Sequence, residues 1–158
     1  MAESLSVGDI KFFYKWPAPA DINRQGVDII RDPGLETAAL ISIFTDGRAD
    51  ADDPLPDPND TRRGWWGDVL SDIPIGSKLW LSDRSKILPA ELSRQAQYIE
   101  DSLAWMKSDG LASKVAAMAE RSKRPDEVLY SITITAPTGG SMFFQFFYNW
   151  RAQVFGGV

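Results

Sequence analysis

The last third of the chain alternates between apolar and polar. In EVLYSITIT (127–135), Val128, Tyr130, Ile132 and Ile134 fall on one side and Leu129, Ser131, Thr133 and Thr135 on the other. A period of two marks a strand with distinct faces. PTGG (137–140) supplies a turn, and SMFFQFFYNW (141–150) returns with Met142, Phe144, Phe146, Tyr148 and Trp150 in step. Two such runs joined by a short Gly-rich link predict a β-hairpin. ASKVAAMAER (112–121) has a helix-former's alanines, but it lies between an Asp-Gly stop and the hairpin. It reads as a third strand, making the region an antiparallel meander. The returning strand also carries Phe143 and Phe147 on its second face. Water-facing sheet positions at an edge should be polar, so either the domain covers both faces or a partner covers one.

Elsewhere the period is helical. In PAELSRQAQYIEDSLAWMKSDG, Leu88, Leu92, Ala96, Ile99, Leu103 and Met106 recur at steps of three and four, starting with Pro89 and stopping at Asp109-Gly110. Glu91, Arg94, Gln95, Asp101 and Lys107 form the polar side. DPGLETAALISIFTD (32–46) opens like a helix capped by Asp32 with Pro33 in its first position. Its apolar residues occupy nearly every side, the mark of a helix in the middle of a fold. Near the start, Ile10, Phe12, Tyr14 and Trp16 alternate as a strand, and VDIIR (27–31) reads as a second. Residues 1–9 are small and polar, a flexible arm. The expected class is α+β: a central buried helix and an amphipathic helix on a mainly antiparallel sheet ending in a three-stranded meander. Residues 10–158 form one domain.

Composition narrows the chemistry. The 158 residues carry a net charge of −5, with six tryptophans and neither cysteine nor histidine. The missing residues exclude disulfides, thiolate nucleophiles, imidazole bases and the usual zinc ligand sets. The negative charge argues against bulk attraction to nucleic acid or anionic membrane. No run approaches the ~20 apolar residues that cross a bilayer. The start lacks a basic region followed by an apolar one, so no classical signal peptide is expected.

Two loops remain. GRADADDPLPDPND (47–60) is rich in Asp and Pro. It lacks the Gly and terminal Glu offsets of a helix–loop–helix calcium site, so it reads as a solvated acidic loop. TRRGWWGDVL (61–70) sets two tryptophans between glycines, after paired arginines and before Asp68. Trp and Arg are the residues most enriched where binding energy concentrates. The expectation is that one ring turns inward and the other stays partly available. Without histidine, an enzyme would need a carboxylate pair of the glycosidase kind. Glu36 and an Asp of the 46–60 loop are the candidates, although Glu36 also suits its own helix N-terminus.

The order LETAALISIFTDGRADADDPLP, RRGWWGD, IGSKLWL and AWMKSDGLA before a terminal meander resembles the Mu-type tail protein family of contractile bacteriophages. Its members are small baseplate components related to sheath initiators. The resemblance spans about residues 9–150. It implies a non-enzymatic wedge subunit of the virion tail, made and assembled in the host cytoplasm. Such a subunit is present in several copies, meets other wedge proteins, the tail hub and the sheath, and needs no cofactor, metal, nucleic acid or membrane. By analogy, Arg62, Arg63, Trp65, Trp66 and Gly67 take an assembly role. Gly64, Asp68, Phe143 and Phe147 complete the expected interface. One arginine would pair with a partner's carboxylate while Trp66 fills a neighbouring pocket. The related group also joins neighbours by strand exchange, which would account for a strand apolar on both faces. Relatives of the sheath-initiator group resemble lysozymes, so a muramidase is the alternative.

Overall fold

The computed structural model describes residues 35–70, 73–83, 85–124 and 126–149, and the backbone of several short strands outside them. Those strands are β1 (Asp9–Ile10), β2 (Phe12–Phe13), β3 (Asp21–Ile22), β4 (Arg24–Gln25), β5 (Asp28–Ile29) and β6 (Arg31–Asp32). They pair antiparallel as β1 with β6, β2 with β3 and β4 with β5. Asp9, placed in the flexible arm from sequence, is therefore paired with Asp32. Residues 1–8, Tyr14 and Trp16 lie outside the described residues.

Helix α1 spans Glu36–Phe44, followed by α2 (Pro89–Ser102) and α3 (Ala104–Ser108). The sheet comprises β7 (Lys114–Arg121), β8 (Glu127–Thr135), β9 (Ser141–Asn149) and β10 (Val154–Gly157), in the order β10-β9-β8-β7. All three pairings are antiparallel. The three-stranded meander is present, and β10 adds a fourth short strand that the sequence reading lacked. β7 is a strand, as the context of its alanines implied.

The register places Ala117, Ile132 and Phe144 side by side, and next to them Ala119, Tyr130 and Phe146. This face meets the helices around one core that includes Ile43, Leu79, Ile99, Leu103, Met106, Val128, Tyr130, Ile132 and Phe146. The small alanines of β7 leave room for α2, which lies across that strand. The fold is thus two layers, helices on an antiparallel sheet.

Four local expectations change. Helix α1 starts at Glu36 with Leu35 in the cap position, not at Asp32, which belongs to β6. It buries Thr37, Ala39, Ser42 and Ile43 but leaves Ile41 and Phe44 partly open, so the apolar helix is covered on one side only. The second helix is interrupted at Leu103, whose backbone (φ −103°, ψ 3°) leaves the helical region. At the break the Ser102 hydroxyl donates to Ile99 O at 2.8 Å. The kink keeps both Leu103 and Met106 fully buried. Finally, Leu88 of the expected packing face is exposed, whereas Gln95 of the polar side is buried and accepts the Tyr130 hydroxyl at 2.9 Å.

Candidate protein-interaction surface

The chain leaves α1 through Thr45–Gly47 and meets itself again at Gly76–Ser77. Gly47 N–H donates to Ser77 O at 2.8 Å and Ser77 N–H donates to Thr45 O at 2.9 Å. Gly76 has φ +114°, and a Cβ there would stand 2.6 Å from Gly47 N, so this crossing demands glycine. The Trp80 indole N–H donates to Gly47 O at 2.8 Å and the Ser77 hydroxyl to Ile43 O at 2.7 Å. IGSKLW therefore clamps both ends of the intervening loop to α1.

Within that loop, cations organise carboxylates and carbonyls. Arg62 donates to the carbonyls of Asp50 and Ala51. Arg63 bonds Asp46 at 2.9 Å and Asp60 at 3.3 Å, and its guanidinium lies 4.3 Å from the Trp80 ring centre. These contacts offset its left-handed backbone, φ +46°. Lys78 joins Asp50 and Asp53. Its hydrogen bond holds the Asp53 carboxyl below the usual carboxylate range. Both arginines already have acceptors within the chain, contrary to the expectation that one awaits a partner's carboxylate. Among the described residues, no cluster of three acidic groups is poised to hold a metal.

The tryptophan motif follows from this frame. Gly64, at φ +104°, turns the chain against Arg48. Gly67 is buried beneath Trp65: a Cβ there would lie 2.2 Å from the ring. Asp68 accepts the Ile75 N–H at 2.9 Å and fixes the return of the chain. The two indoles sit 5.4 Å apart, and neither enters a core cluster. Trp65 rests on Gly67 yet keeps over a third of its surface, so it is less inward than expected. Trp66 is 76% exposed.

Sequence reasoning missed the residues just beyond. Trp66–Leu70 forms a single 3-10 turn, and within it Val69 is 86% and Leu70 81% exposed, with Ile73 half exposed nearby. A five-residue turn cannot direct all its apolar groups to one buried side. The available signal was their position outside any periodic run. Beside them opens a cleft of about 820 Å³ walled by Ile73, Ile75, Tyr98 and Trp105.

The second expected surface lies on β9. Phe143 is 60% exposed, and Met118 on the same face of β7 is also open. Phe147 is half-buried, with the Arg124 guanidinium 6.0 Å from its ring. The structure thus sets Phe143 apart from Phe147 in accessibility.

For carboxylate chemistry, Glu36 lies in the first turn of α1, while Asp46, Asp50, Asp53 and Asp60 of the loop proposed to partner it are ion-paired to Arg63 or Lys78. Burial instead pushes up the carboxyl of Asp83, which accepts the Tyr148 hydroxyl at 3.2 Å. Asp83 lines a pocket of about 340 Å³ with Asp46, Arg63 and Trp80 but without Glu36.

The family described as Phage protein GP46 matches residues 35–141. Those residues include α1, the clamp, the tryptophan turn, α2, α3 and strands β7 and β8. The baseplate protein gp46 of Escherichia phage Mu is 44% identical over 126 residues, covering 80% of this chain and 86% of its own. The Mu-like prophage FluMu protein gp46 of Haemophilus influenzae is 33% identical over 123 residues, covering 77% and 83%. With the loop frame, the helices and strands β7 and β8 inside the matched region, the chain belongs to the GP46 family of Mu-type phage baseplate proteins.

Proposed function

We propose that this protein is a structural subunit of a contractile phage tail baseplate, built into the virion through the Trp66–Leu70 turn. The observation that carries the reading is one turn, tied through Asp68 to Ile75 N–H, with Trp66, Val69 and Leu70 all open to water. Exposed apolar groups gathered in one place mark interaction surfaces, and an exposed Trp on a fixed backbone is suited to be an anchor. Arg62 and Arg63 act behind it by stiffening the loop that presents it. In the finer version of this reading, several copies join neighbouring wedge proteins around the tail hub and help nucleate the sheath. Phe143 provides a second contact. Synthesis and assembly take place in the host cytoplasm.

A peptidoglycan-cleaving role would need one carboxyl raised and a second free beside it. Asp83 is raised by burial, but Asp46, the carboxylate that shares its pocket, is ion-paired to Arg63 at 2.9 Å, and Lys78 lowers Asp53. The free second carboxylate is missing from both places, which favours the structural reading. The test is Trp66→Ala in a phage that depends on this gene. The isolated variant should melt like the parent, while tails lack the subunit and particles are non-infectious. Normal incorporation would overturn the proposal, as would turbidity loss when the purified parent is added to peptidoglycan.

A further inference from the structure

A second surface lies where the β7–β8 turn approaches the segment before α2. Lys86, Arg121, Lys123 and Arg124 line one groove of about 580 Å³, walled by Ile87 and Leu88. The chain as a whole carries −5, so this gathering of cations runs against the sign of the molecule. Arg121 is fixed across the groove by a 3.0 Å hydrogen bond to Ile87 O. Arg124 sits 3.8 Å from the buried Glu127. Among the described residues, no carboxylate lies within ion-pair distance of Lys86 or Lys123. Leu88 beside them is exposed.

We propose that this groove receives an acidic segment of a neighbouring protein, a stretch of Asp or Glu bearing at least one apolar side chain. Charge complementarity selects the carboxylates, and the exposed Leu88 selects an apolar residue among them. A small anion would satisfy the cations and leave Leu88 in water. A nucleic acid strand would have to run past Asp126, which lines the same groove, and onward over a negatively charged molecule. Arg121 is already held in place, so less side-chain freedom is lost on binding. None of these residues belongs to the tryptophan turn, and the inference stands independently of that turn's role.

Fluorescence anisotropy on the full chain tests it with three labelled probes: an Asp/Leu peptide, the same peptide with Asn for Asp, and a single-stranded oligonucleotide. The Asp/Leu peptide should bind, and more weakly as salt rises. Lys86→Glu combined with Lys123→Glu should weaken it about tenfold, the scale of two exposed ion pairs lost. Both residues are on the surface, so the melting temperature should not move. Leu88→Ser should weaken the peptide further at constant charge. The proposal is overturned if the Asp/Leu peptide fails to bind at low salt, if the double substitution leaves binding unchanged, if the Asn/Leu peptide binds equally, or if the oligonucleotide binds more tightly.

Discussion

Trp80 and Trp66 sit at the two extremes of one irregular region. Trp80 is 4% exposed, its N–H is bonded to Gly47 O, and a guanidinium covers its face. Trp66 is 76% exposed and its described ring neighbour is Trp65. A buried indole is favourable when its N–H finds an acceptor, and the Gly47–Ser77 crossing places that acceptor at Trp80. The turn at Trp66–Leu70 closes around Gly67 and leaves its larger side chains outside. An aromatic residue in a loop becomes core when hydrogen bonds close the loop over it. It becomes surface when the loop only carries it.

The hardest test of this contrast is Trp80→Ala. Emptying a buried aromatic site typically costs about 3–5 kcal/mol, so a large fall in melting temperature is expected and assembly should fail with it. Trp66→Ala should stay within about 0.5 kcal/mol of the parent in the isolated chain. It should still cost about 2–4 kcal/mol of binding where Trp66 is an anchor. Equal loss of melting temperature in both variants would abolish the distinction.

Gly67→Ala probes the seam between the two regimes. A new methyl would meet the Trp65 ring at 2.2 Å, and overpacking of this kind costs about 1–3 kcal/mol. In a Trp65→Ala background the penalty should largely vanish, because the obstructing ring is gone. A double-mutant cycle measured by urea unfolding reads that coupling directly. An unchanged penalty would mean that the backbone, not the ring, resists the methyl.

Regular elements were readable from sequence because one periodicity decides many residues together. The alternation in EVLYSITIT and SMFFQFFYN assigned β8, β9 and their buried faces, and Pro89 located the start of α2. The family resemblance was carried by RRGWWGD and IGSKLWL, and the matched region contains both. What escaped depended on single contacts between distant residues. Gln95 is polar by composition and buried because Tyr130 requires an acceptor. Leu103 leaves the helical region at a point where the apolar periodicity of its neighbours continues. The roles of Arg62 and Arg63 were hidden for the same reason: a guanidinium suits a partner's carboxylate and an internal one equally well. Only the position of Asp46, Asp60 and the Asp50–Ala51 carbonyls decides between them.

The outer face of the sheet gives a smaller effect. Phe143→Lys should leave the near-UV circular dichroism and melting temperature of the isolated chain nearly unchanged, within about 0.5 kcal/mol. Phe147→Lys should disturb both more, since that ring is already half-covered and lies near Arg124. If Phe143→Lys also erases the near-UV signal, its face belongs to the interior and the second contact proposed for β9 is lost.

The finest distinction is electrostatic, between the pocket beside Trp80 and the loop held by Lys78. Burial raises the Asp83 pKa, so the folded chain holds that proton more tightly than the unfolded chain does. Its contribution favours folding in acid and is lost as pH rises through the folded pKa. Asp83→Asn should therefore raise stability near neutrality, with an amide oxygen still able to accept the Tyr148 hydroxyl. The gain should shrink as pH falls below the ordinary carboxylate range. Asp53 has the opposite sign: its lowered pKa contributes stability above the ordinary carboxylate range, lost as pH falls through the depressed value. Asp53→Asn should slightly destabilise the neutral protein and matter little in strong acid. Urea midpoints across pH for both variants measure the pair. Shifts of the same sign would show that desolvation does not govern Asp83, and that the pocket beside Trp80 is wetter than its geometry indicates.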